Sequence, residues 1–456
     1  MHIYFIGIGG IGMSAIARYL NNIGKSITGY DKTSTQLTKK LESEGIDIHY
    51  IDDPQLIPEE VELVIYTPAI PDDHQELQFL RQKGLPVIKR AEALGMISRE
   101  SKAIAVAGTH GKTSTCSLIT QLLKFGACDF SAFVGGIILD DDSNYISRGN
   151  EWVVLEADEY DRSFLHLNPE IAILLSMDPD HLDIYVDHET MKEGFWQFIM
   201  NINPGGQFFY AHRLEAFFPE GWKEKLSMRG ISHASFGIDE GNIQAQNVIA
   251  LDGNFIIDYH GKEKILKQLK LPMPGYHNVE NAIAAISASL ELGVEEIQII
   301  EAMNAFGGVQ RRFEKLYDDG DRIYVDDYAH HPTELSAAIA AARKLYPGKK
   351  LTGVFQPHLF SRTKDFAEGF GKALDLLDEC ILMDIYPARE LPIQGVTSQM
   401  IIEFMKSDCV MDVRDEDVMD RLKERDIEVL MTLGAGDIDL LRNKIRDWLE
   451  RTRKEI

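Results

Sequence analysis

Three times along this chain, an alternation of short apolar runs and helical patterns begins afresh. Residues 2–6 are an apolar run rich in β-formers, and 13–23 repeat apolar positions at helical spacing. Residues 26–30, 62–66 and 85–88 are further short apolar runs set between polar helical stretches. Such alternation predicts a mostly parallel sheet. The pattern restarts at Lys102. Residues 103–107 predict a buried strand, 108–113 a loop, and Thr113 to about Phe125 a helix. Residues 152–156 and 170–176 predict two more strands, each running into acidic or His-containing segments. Residues 230–270 alternate in shorter β-like runs with glycine turns, and 278–292 form an Ala-rich helical stretch. A third restart follows Phe306-Gly307-Gly308, with strands expected at 322–325, 351–355, 379–383 and 429–433 and helices at 332–344 and 437–450. The expected fold class is therefore α/β in three domains, spanning 1–99, 100–308 and 309–456.

The size agrees: 456 residues correspond to two to four domains at roughly 100–200 residues each. Hydrophobic residues make up 45% and charged residues 26%, so each domain has enough apolar chain for a core of its own. The net charge of -25 disfavours nucleic acid and anionic membrane as bulk partners. An anionic substrate would then need local basic groups or bound metal. The four cysteines include no CxxC pair and are too sparse for a disulfide framework, which fits a reducing cytoplasm. The first residues lack a basic region and lead straight into a glycine loop, so no signal peptide is expected. No apolar run reaches about 18 residues, so no membrane insertion is expected.

Gly7-Ile8-Gly9-Gly10-Ile11-Gly12 follows the first strand and opens a helix. Its glycines let the backbone approach a diphosphate, and the helix start adds N–H groups and a favourable dipole. Asp31, at the end of the next strand, is placed to meet a ribose hydroxyl. The motif does not separate NAD from another diphosphate such as a UDP-sugar, and a ligand-free tight turn is the bland reading. Gly108-Thr109-His110-Gly111-Lys112-Thr113 is shorter than the usual phosphate loop, because position 106 is Val. It keeps the chemistry of Gly-Lys-Thr: an ammonium for the outer phosphates and a hydroxyl for Mg²⁺. His110 can contact phosphate or the reacting carboxylate, or simply pack in the loop.

Glu156-Ala157-Asp158-Glu159-Tyr160-Asp161 closes one strand, and Asp178-Pro179-Asp180-His181-Leu182-Asp183 closes the next. Oxygen donors at strand ends suit a hard cation, and a His among them suits a second metal or a base. Such acids are also common as solvated loops, but two clusters beside a phosphate loop favour metal. Gly275-Tyr276-His277-Asn278-Val279-Glu280-Asn281 precedes the Ala-rich helix. Asn278 reads as a helix cap, and Asn281 as a residue able to meet an adenine edge. Arg311-Arg312-Phe313 and Asp326-Asp327-Tyr328-Ala329-His330-His331-Pro332-Thr333-Glu334 open the last domain. Pro332 has a helix-start role of its own. In Phe355-Gln356-Pro357-His358-Leu359-Phe360-Ser361-Arg362 a His and an Arg follow a strand, where the Arg can clamp a carboxylate.

In this order, the motifs resemble the Mur ligases of peptidoglycan synthesis over essentially the whole chain. The resemblance implies an N-terminal Rossmann-like UDP-binding domain, a central P-loop-type ATPase α/β domain and a C-terminal Rossmann-like α/β domain that binds the amino acid and closes. Asp161-Arg162-Ser163-Phe164-Leu165-His166-Leu167, His330-His331-Pro332-Thr333-Glu334 and Gly434-Ala435-Gly436-Asp437-Ile438 are similar to the branch that joins L-alanine to UDP-N-acetylmuramate. Tyr160 resembles instead the recycling branch that adds the tripeptide L-Ala-γ-D-Glu-meso-diaminopimelate, which is the alternative. Leu359 departs from the first branch, where Arg is found, and leaves Arg362 as the carboxylate contact.

The resemblance further implies that Gly9, Gly10, Ile11, Gly12, Asp31, Thr67 and Arg90 bind the UDP-sugar. Gly108, Thr109, His110, Gly111, Lys112, Thr113, Ser114, Asn281, Arg312 and Asp327 would bind ATP. Tyr328, His330, His358 and Arg362 would line the amino-acid site. Catalysis would fall to Lys112, His110, Glu156 and His181. Thr113, Glu156 and His181 would hold two Mg²⁺ ions, with Mn²⁺ as a substitute. No lysine stands where relatives carry a carbamylated one, Lys192 being too early in the helix 191–202. The expected chemistry is transfer of the ATP γ-phosphoryl to the lactyl carboxylate and attack by the amine on the acyl phosphate. The expected setting is the cytoplasm, and the expected state a monomer or weak homodimer.

Overall fold

A computed structural model describes residues 1–178, 188–251, 254–262, 264–388, 390–406, 410–413 and 417–452. The first apolar runs become β1 (His2–Ile6), β2 (Ser26–Tyr30), β3 (Asp47–His49), β4 (Val61–Tyr66) and β5 (Val87–Lys89). They pair in the order β3-β2-β1-β4-β5, all parallel. Helix Ile11–Asn22 links β1 to β2, and later helices cover the other crossovers. The order reverses at β1, so the loop after β1 leaves the sheet at a switch point, the place where open parallel sheets take ligands. Ile6 lies in register with Tyr30 and Tyr66. The segments that begin at Gly7, Asp31 and Thr67 therefore emerge side by side.

The second run of strands comprises β6 (Lys102–Ala107), β7 (Phe130–Ile138), β8 (Ser143–Ser147), β9 (Trp152–Ala157), β10 (Ile171–Leu174), β11 (Gln207–Ala211) and β12 (Ser232–Ile238). They are ordered β12-β11-β10-β6-β9-β7-β8. β13 (Ile243–Leu251), β14 (Asn254–His260) and β15 (Ile265–Leu271) complete this sheet. β6 is buried from its second residue on and sits between β9 and β10. Ala107 is in register with Ala157 on one side and Leu174 on the other. Three loops thus start at one level: the phosphate loop, the acid cluster and the segment 175–178.

The last sheet holds β16 (Glu314–Asp318), β17 (Ile323–Asp327), β18 (Leu351–Phe355), β19 (Glu379–Met383), β20 (Val410–Val413) and β21 (Val429–Leu433). Its order is β16-β17-β21-β18-β19-β20, with only β16 antiparallel to its neighbour. Both faces are covered. Ile323 and Val325 pack with Leu335, Phe355 and Phe370 on one side, while Tyr324 packs with Ile381, Ile445 and Leu449 on the other. Such side chains each contribute roughly 1.5–3 kcal/mol on full burial, which is why these strands read as continuous apolar runs. By its contacts the chain forms two compact units: residues 1–246, 258–269 and 280–307, and residues 247–257, 270–279 and 308–456. The first holds the first sheet and most of the second, and the other holds the third.

Several elements differ from expectation at their ends. The helix expected over 278–292 is Tyr276–Glu291. Asn278 therefore sits within its first turn, donating from Nδ2 to the Pro274 carbonyl at 2.8 Å, and does not cap it. The helix expected over 437–450 is a 3-10 turn, Asp437–Leu441, followed by Arg442–Arg451. β7 and β8 were not expected; they carry glycines and polar residues that break the apolar run.

Candidate active site

The loop that leaves β6 at Gly108 is built by two glycines. Gly111 has φ 86° and starts helix Lys112–Phe125 without a side-chain cap. A helix start left in that form presents N–H groups to an anion. A Cβ on Gly111 would lie 2.6 Å from Asn281 Oδ1, and one on Gly108 2.9 Å from the Ser176 nitrogen. The loop is therefore wedged between helix Tyr276–Glu291 and the segment after β10. Ser176 Oγ shares a hydrogen bond with Thr109 Oγ1 at 2.9 Å and accepts from the His110 N–H at 2.9 Å. Thr109 Oγ1 in turn accepts from the Asp178 N–H at 3.1 Å. The His110 ring has Asp178 Oδ2 3.5 Å from its Nε2.

Lys112 donates to the Gly108 carbonyl at 2.5 Å and to Glu159 Oε2 at 2.7 Å. Burial works against its ammonium, but Glu159, Asp158 and Glu156 outweigh that and lift its pKa above the usual lysine range. Burial likewise opposes ionisation of Asp158, yet Lys112 and Arg90 together hold its carboxyl below the ordinary value. Glu156 Oε1 accepts from the Gly135 N–H at 2.6 Å, and a Cβ on Gly135 would lie 2.7 Å from each carboxylate oxygen. The glycine makes room for that carboxylate. Thr113 and Ser114 are buried in the helix's first turn. Thr113 and Glu156 are hard oxygen donors of the kind Mg²⁺ takes. His181, with Asp180 and Asp183, lies outside the described residues. Lys192 pairs with Glu189 at 2.7 Å.

The residues expected to bind the UDP-sugar also converge. Gly9 donates to Asp31 Oδ2 at 2.7 Å, and Thr33 donates to Asp31 Oδ1 at 3.1 Å. Asp31 thus braces the loop that Gly10 and Ile11 continue. A Cβ on Gly7 would meet Thr67 Cγ2 at 2.6 Å, and one on Gly12 would meet Arg90 Nη1 at 2.5 Å. Arg90 also donates to Asp158 Oδ2 at 3.0 Å, and Lys89 to Asp161 Oδ2 at 2.7 Å. Asp161 and Arg162 both have left-handed backbones, φ 52° and 53°. The links from Glu159 to Lys112 and from Asp158 to Arg90 escaped sequence reading. Their only signal was membership of the acid cluster, which does not say which acid meets which base.

Apart from Asn281, the remaining expected residues lie in the other unit. Asp327 accepts from the Phe313 N–H at 2.7 Å and the Ala329 N–H at 2.8 Å. Burial, only partly offset by Arg312, pushes its carboxyl up to about 6. Arg311 and Arg312 both lie against the Tyr328 ring, at 5.2 and 5.3 Å. Arg311 is buried and bound to Asp326 at 3.1 Å and the Gly434 carbonyl at 2.6 Å. His330 Nδ1 donates to the Tyr328 carbonyl at 3.0 Å, and its ring meets that of His358 at 6.0 Å. His358 stacks on Tyr386. Leu359 has φ 70°, a conformation costing a non-glycine residue about 1–3 kcal/mol. Its N–H donates to the Tyr386 carbonyl at 2.9 Å, which holds the bend that starts helix Phe360–Leu374. Arg362 is buried in that helix's first turn. Asn281, in the first unit, is buried with its amide oxygen against Gly111.

Three descriptions of one family match the chain in order: "Mur ligase family, catalytic domain" over residues 2–102, "Mur ligase middle domain" over 106–289, and "Mur ligase, glutamate ligase domain" over 311–438. The chain belongs to the Mur ligase family. Its three-domain α/β fold is that of the family. A UDP-N-acetylmuramate–L-alanine ligase from Flavobacterium johnsoniae is 44% identical over 453 residues, covering 98% of each chain. The solved UDP-N-acetylmuramate–alanine ligase of Thermotoga maritima superposes with a TM-score of 0.81 at 28% identity, over 99% of this chain and 100% of that one. The UDP-N-acetylmuramate:L-alanyl-γ-D-glutamyl-meso-diaminopimelate ligase of Neisseria meningitidis is 26% identical, with a TM-score of 0.59 over 68% of this chain and 99% of its own. Among the described residues of this Mur ligase, no helix is long and apolar enough to cross a membrane.

Proposed function

We propose that this chain joins L-alanine to the lactyl carboxylate of UDP-N-acetylmuramate, converting ATP to ADP and phosphate. The observation that carries the reading is the 44% identity, over 98% of both chains, to a ligase of that specificity. The tripeptide ligase is more distant, at 26% identity over 68% of this chain.

A carboxylate is a poor acyl donor because its oxygen leaves badly. Phosphorylation by the ATP γ-phosphoryl group turns it into an acyl phosphate with a good leaving group. The amine of L-alanine attacks the acyl carbon, the tetrahedral adduct collapses, and amide and phosphate remain. The approaching carboxylate and triphosphate repel each other. Lys112 lowers that repulsion from a helix start, where the ammonium and the N–H groups act together. Bound Mg²⁺ would supply further charge neutralisation and a template, with Thr113 and Glu156 as donors, and His181 with them.

In this reading Gly9, Gly10, Ile11, Gly12, Asp31, Thr67 and Arg90 hold the UDP-sugar. Gly108, Thr109, His110, Gly111, Lys112, Thr113, Ser114 and Asn281 hold ATP, with Asn281 at adenine. Arg312 and Asp327 reach the nucleotide on closure. Tyr328, His330, His358 and Arg362 bind the amino acid. The working domain limits are 1–99, 100–308 and 309–456. The enzyme acts in the cytoplasm as a monomer or weak homodimer. Phosphate release with UDP-N-acetylmuramate, Mg·ATP and single acceptors tests the specificity. L-Alanine should give turnover; turnover with the tripeptide alone would reassign the chain to recycling.

A further inference from the structure

Lysine has a flexible four-carbon stem and an ammonium with three N–H donors. On a phosphate loop such a group is useful only if it is held. Two of the three donors of Lys112 are committed to this chain: one to the Gly108 carbonyl at 2.5 Å and one to Glu159 Oε2 at 2.7 Å. Lys112 is 14% exposed and Glu159 is 1% exposed. Gly108 is on the loop itself, whereas Glu159 comes from the segment after β9. The two anchors therefore pull from different elements and fix both the position of Nζ and its rotation.

We propose that Glu159 is a positioning residue for the phosphate lysine, which together with the Gly108 carbonyl leaves Lys112 one N–H to give to ATP. The inference rests on the ATP reading of the loop and goes beyond it, because it gives a defined task to an acid that touches neither metal nor substrate in that reading. Glu156 and Asp158 do not duplicate the task. Glu156 Oε1 is bonded to Gly135, and the oxygens of Asp158 are bonded to Arg90 and the Tyr160 N–H.

The test uses the full-length enzyme with Glu159→Gln, Glu159→Asp and Glu159→Ala. KM and kcat are measured for each of the three substrates, together with Mg·ADP titration and melting temperature. Glu159→Gln keeps an oxygen acceptor at nearly the same place and loses the charge. kcat/KM for ATP should fall about tenfold, the size of one weakened charge-assisted hydrogen bond. Glu159→Ala should cost about a hundredfold or more, with Asp restoring part of the loss. KM for UDP-N-acetylmuramate and L-alanine should stay within about twofold. Mg·ADP affinity should fall in parallel with kcat/KM for ATP. Unchanged kcat/KM for ATP in Gln and Ala would overturn the proposal, as would an equal loss across all three substrates with a lowered melting point. The Gln and Asp variants carry the test if Ala does not fold. A wild-type enzyme inactive with L-alanine would instead overturn the acceptor assignment, while the Mg·ADP titration would still report on Glu159.

Discussion

Arg90 donates to Asp158 across 3.0 Å, joining the helix that follows β5 to the acid cluster that follows β9. The same guanidinium lies against Gly12 of the first glycine loop, and Asp158 feels Lys112 as well as Arg90. If this pair organises the sugar site, Arg90→Ala and Asp158→Asn should not be additive. The double-mutant cycle on UDP-N-acetylmuramate affinity should show a coupling of about 1–3 kcal/mol. Strictly additive dissociation constants from calorimetric titration would remove the pair from the sugar site.

Gly111 carries two constraints, a left-handed backbone and the approach of Asn281 Oδ1 to 2.6 Å of any Cβ. Gly205 has a similar φ of 83° with nothing within 4 Å. Gly205→Ala should therefore show only the conformational cost of roughly 1–2 kcal/mol. Gly111→Ala should add a loss of at least about tenfold in kcat/KM for ATP, because the loop must shift off Asn281. Steady-state kinetics and thermal melts of the two variants make the comparison. Equal behaviour would mean that the Asn281 contact yields freely.

Arg311 and Arg312 are neighbours with different tasks. Arg311 is buried against Asp326, which is itself fully buried and also meets Arg442 at 3.1 Å. Arg311→Ala should destabilise the unit by about 3 kcal/mol, since it leaves a buried acid short of a partner. Arg312→Ala should cost less, about 1 kcal/mol for its contacts with Asp327 and Tyr328, and raise KM for ATP. Denaturant melts and ATP kinetics separate the two. A stability loss from Arg312 equal to that from Arg311 would contradict this division.

Glu76 is fully buried in the first domain. Tyr4 donates to it at 2.6 Å and the Asp53 N–H at 3.1 Å, and His49 lies 3.6 Å away. Burial pushes its carboxyl up to about 7 from 4.5. A carboxyl whose folded pKa is raised is favoured protonated, so stability declines as pH rises from about 4.5 to about 7. Burial lowers the pKa of His49 and of His74, so those two weaken the fold on acidification below their ordinary value of 6.5. They act in the opposite sense. Glu76→Gln isolates the carboxyl. Relative to wild type, it should gain on the order of 3 kcal/mol between pH 5 and pH 8. Denaturant melts at the two pH values measure the gain, and a pH-independent gap would contradict the assignment.

Apolar runs, glycines and strand-end acids were legible from the sequence because each follows from local chemistry. A buried parallel strand must be apolar on both faces, a phosphate loop must carry glycine where φ is positive, and a cation site must carry oxygen donors. β1, β2, β18, β19 and β21 accordingly coincide with the apolar runs. Partnership was not local. Val106 of the buried run faces Glu156 in register, but nothing in 102–107 says that the neighbouring strand comes some fifty residues later. Lys112 meets Glu159, Arg90 meets Asp158 and Gly111 meets Asn281 only because β6 is placed between β9 and β10 and helix Tyr276–Glu291 packs on the loop. The sequence by itself therefore determined which chemical groups are present and at which strand ends they sit. Tertiary structure decided which acid neutralises which base, because two charges far apart in the chain interact only after the sheet order has brought them within a few ångströms.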